Sequence, residues 1–514
     1  MAQTSQPFRQ NWASRMGVIL AVAGSAVGLG NFLRFPVQAT QNGGGAFMIP
    51  YFIAFLLLGI PMCWVEWAMG RYGGRFSHGS APGVFDVIGG RRPLFKYIGA
   101  LGLLGPLLIG FYYVWIESWT LGYACNAALG HLAPLRDMES LKGFLGEYTT
   151  SRMGYVFFLI TFAMNFFVLF FGISGGIERL NKYAMPTLAI IGLILTARVL
   201  TLGTPNAAHP DFSVSRGMGF IWNPDFSKLR DAKVWLAAAG QIFFTLSVGM
   251  GVIITYASYL RSDEDIALSG LTASATNEFM EVIIGGSIVI PAAVVFFGVT
   301  QAREVAGSGS FSLGFVTMPL IFTKMMGGPF FCFLWFMLLF LAGITSSISI
   351  LQPFVSFLED EFHCSRRVAV SLTAVVTFVF AQAAIFGNGV LDEMDFWAGS
   401  FLIVLFGLIE IIMFAWIFGM GRAWDEINRG SEITIWPFFR WIIGFVTPVY
   451  MFIILGAFMA QNWRGVFLMG NYRGTAQFHS VLIFRVAMLI LFMVICGMIA
   501  YSWNRHPKVR EPKP

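Results

Sequence analysis

Two stretches of this sequence set hydrogen-bonding side chains among glycines in the middle of long apolar runs. The first reads Gly24-Ser25-Ala26-Val27-Gly28-Leu29-Gly30-Asn31, and the second Gly240-Gln241-Ile242-Phe243-Phe244-Thr245-Leu246-Ser247-Val248-Gly249-Met250-Gly251. Glycine weakens a helix, so both runs are places where a helix is expected to break. A break leaves orphan N–H groups at one half-helix end and orphan C=O groups at the other. The N–H end suits a carboxylate and the C=O end suits a small cation. An amphoteric solute with a cation beside it fits such a site, and an amino acid with Na⁺ is the obvious pair. Close packing of helices through small residues is the competing reading of the same glycines.

Other chemistry is missing its parts. The chain has no metal-binding His pair and no nucleophile elbow, and Gly43-Gly44-Gly45 lacks the Lys and Ser/Thr that complete a phosphate loop, so no enzyme is expected. Cys63, Cys125, Cys332, Cys364 and Cys496 are odd in number and scattered, without a disulfide or metal-ligand pattern.

The elements that would carry the two glycine runs follow from composition. Of 514 residues, 57% are hydrophobic and only 12% charged, which excludes a soluble or disordered chain. The net charge of +6 is spread over short segments rather than clustered on a face, so nucleic acid is not an expected partner and the charges are read as topology signals. A bilayer core takes about 20 residues of helix, and runs free of charge recur often enough for twelve spans. The prediction is an all-α polytopic membrane protein. Arg9 and Arg15, the group Arg71, Arg75, Arg91, Arg92 and Lys96, and the tail Arg505, Lys508, Arg510 and Lys513 fall on one side, so both termini are expected in the cytoplasm. The connections 130 to 151, 203 to 231 and 303 to 324 then fall outside. The last is too apolar for a free loop (Phe311, Leu313, Phe315, Met318) and is expected to hold a short helix that dips back. The glycine runs lie in spans 1 and 6, five spans apart. Breaks at corresponding positions of two repeats mark the binding site in many transporters, which favours the site over plain packing.

The strings NWASRMG, AGSAVGLGNFLRFP, NGGGAFMIPY, GQIFFTLS, YASYLR, GITSSISILQP, LEDEF and LDEMDFWAG resemble those of the neurotransmitter:sodium symporter family, in the same order. The resemblance runs from about residue 9 to about residue 430 and more loosely through the last two spans. It implies an inverted repeat of five plus five helices with broken helices 1 and 6, and two peripheral helices. The expected division is 1 to 202 for the first repeat with its N-terminal tail, 203 to 231 for an extracellular loop, 232 to 421 for the second repeat, 422 to 504 for helices 11 and 12, and 505 to 514 for a cytoplasmic tail.

The resemblance also implies site residues. A first Na⁺ would take the carbonyl of Ala26, the side chains of Asn31, Thr245 and Asn277, and the substrate carboxylate. A second would take carbonyls of Gly24, Val27 and Ala342 with the hydroxyls of Thr345 and Ser346. Neutral oxygens suit a hard monovalent ion that must leave again, although Ser and Thr hydroxyls also commonly bond back to their own helix. The substrate pocket would be lined by Ile109, Tyr113, Phe244, Ser247, Met250, Ser346 and Ile350. Backbone would come from Leu29 and Gly30, Tyr113 would reach the carboxylate, and carbonyls at Ala26, Phe244 and Thr245 would receive the ammonium. Met250 stands where the family's bacterial amino acid carrier has Phe, and Ile109 where it has Val; the first change adds adaptable room and the second removes some. Ser25 replaces an Asn beside the break.

Charged residues inside membrane helices are costly and usually pair or work. By the family's fold Arg34 and Asp395 would meet as an external latch over the aromatic lid Tyr113 and Phe244. Arg9 and Asp360 would form the cytoplasmic latch, with Trp12, Ser258 and Tyr259 around it; a purely structural salt bridge is the other reading of each pair. Glu66, Glu117 and Glu410 read as structural hydrogen-bond partners. Glu281 stands where chloride-dependent animal relatives have Ser, one helical turn after Asn277, so a fixed carboxylate there would replace the anion and could exchange a proton as the empty carrier returns; an ordinary buried acid is the alternative. These readings describe a chloride-independent, sodium-coupled symporter of neutral, apolar amino acids in the inner membrane of a prokaryotic cell. The alternative is a transporter-like sensor or channel, and a homodimer is left open.

Overall fold

The computed structural model describes residues 11–205 and 208–505. Among them, ten helices are long and apolar enough to cross a membrane, and the pair Arg15–Ala26 and Leu29–Gln41, bent by 48°, supplies an eleventh crossing. The remaining expected span is divided into Ala232–Thr245 and Val252–Ala257, halves too short to cross singly. Numbering these crossings in chain order, spans 2 to 5 are Gly45–Gly74, Pro93–Ala128, Arg152–Phe170 and Ile173–Leu200. Spans 7 to 12 are Ala267–Gly307, Gly328–Phe362, Arg366–Phe386, Val390–Asn428, Phe438–Phe467 and Phe478–Arg505.

Their burial sorts them into an inner and an outer set. The apolar windows of spans 2, 3, 7, 8 and 10 are 67–78% buried, whereas those of spans 4, 5, 9, 11 and 12 are 28–39% buried. Apolar side chains with no covering protein, such as Phe167, Ile194, Val375, Phe445 and Val486, belong to the outer set, as a hydrocarbon solvent requires. Spans 3 and 8 pack along each other at the centre. Gly343 lets them close up, because a Cβ there would stand 2.9 Å from Cγ of Glu117.

Both breaks follow from local chemistry. In span 1, Ser14 caps the first half by accepting from the Gly17 N–H, and the half ends at Val27 with φ −73° and ψ 87°. The second half restarts behind Gly28, whose N–H donates to Asn31 Oδ1 at 2.9 Å. In span 6, Ser247, Gly249 and Gly251 take φ of 54°, 73° and 68°, a left-handed sequence that no α-helix tolerates. Gly249 is obligatory on a second count, since a Cβ would lie 2.1 Å from the Ile403 carbonyl oxygen. The expected short helix between spans 7 and 8 is Ser310–Thr323. Its Phe315 is buried against Trp119, Tyr123 and Phe336.

Candidate functional site

A cavity of about 270 Å³ lies between the two breaks. Its walls include Ala26, Leu29 and Gly30 from span 1, Ile109 and Tyr113 from span 3, Phe244, Thr245, Ser247 and Met250 from span 6, and Ser346 and Ile350 from span 8, so the structure brings every expected pocket residue to one place. The apolar members form a surface for an uncharged side chain, while the break contributes backbone polarity. Leu29 N–H donates to the Tyr113 hydroxyl at 3.2 Å, and the Ser247 and Ser346 hydroxyls both donate to the Ser25 carbonyl at 3.1 Å. Ring and glycine fit closely here, because a Cβ on Gly30 would stand 2.4 Å from Cε1 of Phe244.

Beside the cavity a polar knot joins spans 1, 6 and 7. Asn31 Nδ2 donates to Asn277 Oδ1 at 2.8 Å and to Thr245 Oγ1 at 3.3 Å, and Asn277 Nδ2 donates to Thr245 Oγ1 at 3.0 Å. All three side chains are buried. Amide and hydroxyl oxygens gathered from three spans form a donor set suited to a small hard cation. Glu281 adjoins this knot, fully buried. Its carboxylate accepts from the Thr245 hydroxyl, the Gln241 amide and, at 2.9 Å, the Tyr51 hydroxyl. Three donors meet this carboxyl group, and among the described residues it forms no ion pair with an arginine or lysine.

The other expected cation position is arranged differently. Thr345 Oγ1 donates to the carbonyls of Leu341 and Ala342 at 2.9 and 3.2 Å, the back-bonding alternative, while Ser346 reaches across to Ser25. Gly24 lies against span 5, where a Cβ would meet Asn181 Oδ1 at 2.0 Å, and Val27 is fully buried at the end of the half-helix.

The two residues of the expected external latch have other partners in this structure. Arg34 and Asp395 both line the cavity, on the side of the 310–323 helix. Among the described residues no ion pair joins them. The Arg34 guanidinium is instead stacked 4.1 Å from the centre of the Phe244 ring, and Asp395 accepts from the Tyr112 hydroxyl at 2.7 Å. Each charge has a partner of its own, the Phe244 ring for Arg34 and the Tyr112 hydroxyl for Asp395.

At the opposite end, Arg9 lies outside the described residues. Trp12 donates from Nε1 to the Tyr256 carbonyl at 2.9 Å and meets the Tyr256 ring edge-on at 5.3 Å. Tyr259 and Ser356 hydroxyls are 3.0 Å apart, Ser356 donates to Asp360 at 3.3 Å, and Ser258 donates to the Thr255 carbonyl at 2.6 Å. Of the remaining membrane carboxylates, Glu66 accepts from the Gly249 N–H at 2.5 Å and so holds the span 6 break. Glu117 accepts from the Asn165 amide at 3.1 Å.

Sequence reasoning passed over Tyr51, Tyr112 and Gln241. Tyr51 and Gln241 sit inside the strings NGGGAFMIPY and GQIFFTLS, and Tyr112 precedes Tyr113, so position within a recognised string was the available signal.

The sequence profile of the sodium:neurotransmitter symporter family matches residues 9–136 and 147–506. The chain belongs to that family. This symporter is 31% identical over 502 residues to an uncharacterized sodium-dependent transporter of Methanocaldococcus jannaschii, covering 94% of this chain and 96% of the relative. It is 26% identical over 506 residues to the sodium-dependent nutrient amino acid transporter 1 of Drosophila persimilis, covering 88% of this chain and 75% of the relative. Among solved structures, the symporter is similar to MhsT in complex with L-phenylalanine, at a TM-score of 0.74 and 31% identity over 87% of this chain and 99% of that one. Its fold is therefore the LeuT type, with broken helices 1 and 6, an inverted repeat of five plus five helices and two peripheral ones. It is a secondary transporter of a sodium-dependent family, a multi-pass membrane protein and not an enzyme.

Proposed function

We propose that this symporter carries neutral, apolar amino acids into the cell together with Na⁺, by alternating access. The observation that carries this reading is the convergence of two helix breaks on one cavity, with an apolar wall and an oxygen-rich knot beside it. The breaks supply the carboxylate and ammonium contacts, Ile109, Met250 and Ile350 accept the side chain, and Asn31, Thr245 and Asn277 hold a Na⁺ against the substrate carboxylate. A second Na⁺ is assigned to Gly24, Val27, Ala342, Thr345 and Ser346, whose hydroxyls turn from their present partners to receive it. L-phenylalanine bound to MhsT supports a bulky apolar amino acid as substrate. Glu281 supplies the negative charge that an anion would otherwise bring, so transport needs no chloride.

Both termini are assigned to the cytoplasm of a prokaryotic cell, and the repeats to residues 1 to 202 and 232 to 421. Arg9 and Asp360 close the inner side, while Arg34 and Asp395 close the outer side once substrate has drawn the walls together. The test is uptake of labelled amino acid into proteoliposomes, with a panel of the common amino acids as competitors. Uptake driven by an inward sodium gradient and inhibited by apolar amino acids is the expected result. Binding without gradient-driven accumulation would identify a sensor instead.

A further inference from the structure

The first half of span 1, Arg15–Ala26, is bent by 48° from the second half at the break and packs among spans 5, 6, 7 and 8. It is held by two kinds of tie. Trp12 donates to Tyr256 in the second half of span 6, and Arg15 meets Asp265 at 2.8 Å and Ser269 at 3.0 Å where span 7 begins, with Glu432 at 2.6 Å. These contacts join the N-terminal segment to 252–257 and 265–269 as one cross-linked body. The second kind comes from span 5, where the Glu178 carboxylate accepts from the Ala13 N–H and the Ser14 hydroxyl, both at 2.8 Å. Ser14 is the helix cap and accepts in turn from the Gly17 N–H at 3.0 Å. The negative charge of span 5 therefore reaches the positive end of the half-helix through the cap. Gly17 leaves it room, since a Cβ there would lie 2.0 Å from Glu178 Oε1.

From this geometry we infer that Glu178 is a clasp of the inner gate, a positioning residue that joins the half-helix to span 5 and must release it before the cavity opens toward the N-terminal side. The inference rests on the alternating-access reading. The bonds of Trp12 to span 6 and of Arg15 to span 7 can travel with the half-helix, whereas the Glu178 bonds to span 5 and the Arg15–Glu432 pair cross to separate elements and must break.

The test is hydrogen–deuterium exchange of the 15–26 backbone in the full chain in lipid, without sodium, for Glu178→Gln, Glu178→Ala, Gly17→Ala and, as a control inside the cross-linked body, Asp265→Asn. Loss of two charge-assisted bonds at a partly exposed site is expected to speed exchange about tenfold in Glu178→Ala. A smaller increase is expected in Glu178→Gln, which keeps one acceptor. Gly17→Ala should match Glu178→Ala, and sodium with substrate should suppress the increase. Unchanged exchange in the Glu178 variants, or an equal increase in Asp265→Asn, overturns the clasp. Sodium-driven uptake by the parent is measured alongside. If the parent does not transport, the alternating-access reading fails; if it transports while exchange is unmoved, only the clasp fails.

Discussion

The Arg34 guanidinium lies 4.1 Å from the centre of the Phe244 ring, and that ring fills the space a side chain on Gly30 would need. Phe244 thus links the Arg34 charge to the span 1 break and to the cavity wall. Replacing it with Leu removes the cation–π contact and part of the wall, so substrate binding should weaken by about tenfold or more. Equilibrium binding of a labelled apolar amino acid at fixed sodium measures this, and an unaltered affinity would remove Phe244 from the site.

Asn31→Ala should abolish sodium-dependent substrate binding. Asn31 bridges Asn277 and Thr245 in the polar knot, and by the proposed function a cation held there would also hold the substrate carboxylate. Their affinities must then be coupled by the same factor in both directions. Binding curves at several sodium concentrations decide the matter, and an intact sodium dependence would place the ion elsewhere.

Met250→Phe should narrow the substrate range toward smaller aliphatic amino acids, because a rigid ring replaces a side chain that repacks. Met250 lines the cavity and is nearly fully buried. A competition profile that does not shift would show that another residue sets side-chain size.

Chloride gives a sign change. The parent should transport equally in chloride and in gluconate, while Glu281→Ser should require chloride. The Thr245, Gln241 and Tyr51 donors that now face the carboxylate would remain to receive the anion. A chloride-dependent parent, or a mutant inactive in both media, would refute the substitution.

Gly249→Ala should destabilise the folded chain by several kcal/mol. It combines φ of 73° with a Cβ 2.1 Å from the Ile403 carbonyl oxygen, and it disturbs the N–H that Glu66 accepts. Thermal unfolding in detergent reports the shift, and a transition within a degree of the parent would contradict the close approach.

Much of the architecture could be read from the sequence because hydrocarbon permits few backbone solutions. Charge-free runs located the spans, yet span 7 runs from Ala267 to Gly307 and carries Glu278 and Glu281, which such a search treats as boundaries. The glycines at 24, 28 and 30 marked the first break closely. In span 6 the run began at Gly240, but the helix persists to Thr245, because Gly240 is accommodated in a helix while Gly249 and Gly251 are held at positive φ. The motif strings brought the pocket positions together by residue type. They could not reveal which partner a flexible charge selects, and so Arg34 on Phe244 and Tyr112 on Asp395 emerged only from three-dimensional distances.

The Ser25 carbonyl oxygen has two lone pairs, and Ser247 and Ser346 engage both. It is a saturated acceptor. An arriving ammonium or cation cannot use this oxygen unless one serine hydroxyl first rotates away, so an occupant of the cavity exchanges hydrogen bonds at Ser25 rather than adding one. Spans 1, 6 and 8 meet at this single atom, and its infrared amide I frequency, isolated by a ¹³C label at Ser25, would fall when a charged donor takes the place of a serine hydroxyl. That band would make one backbone oxygen a spectroscopic counter of occupancy.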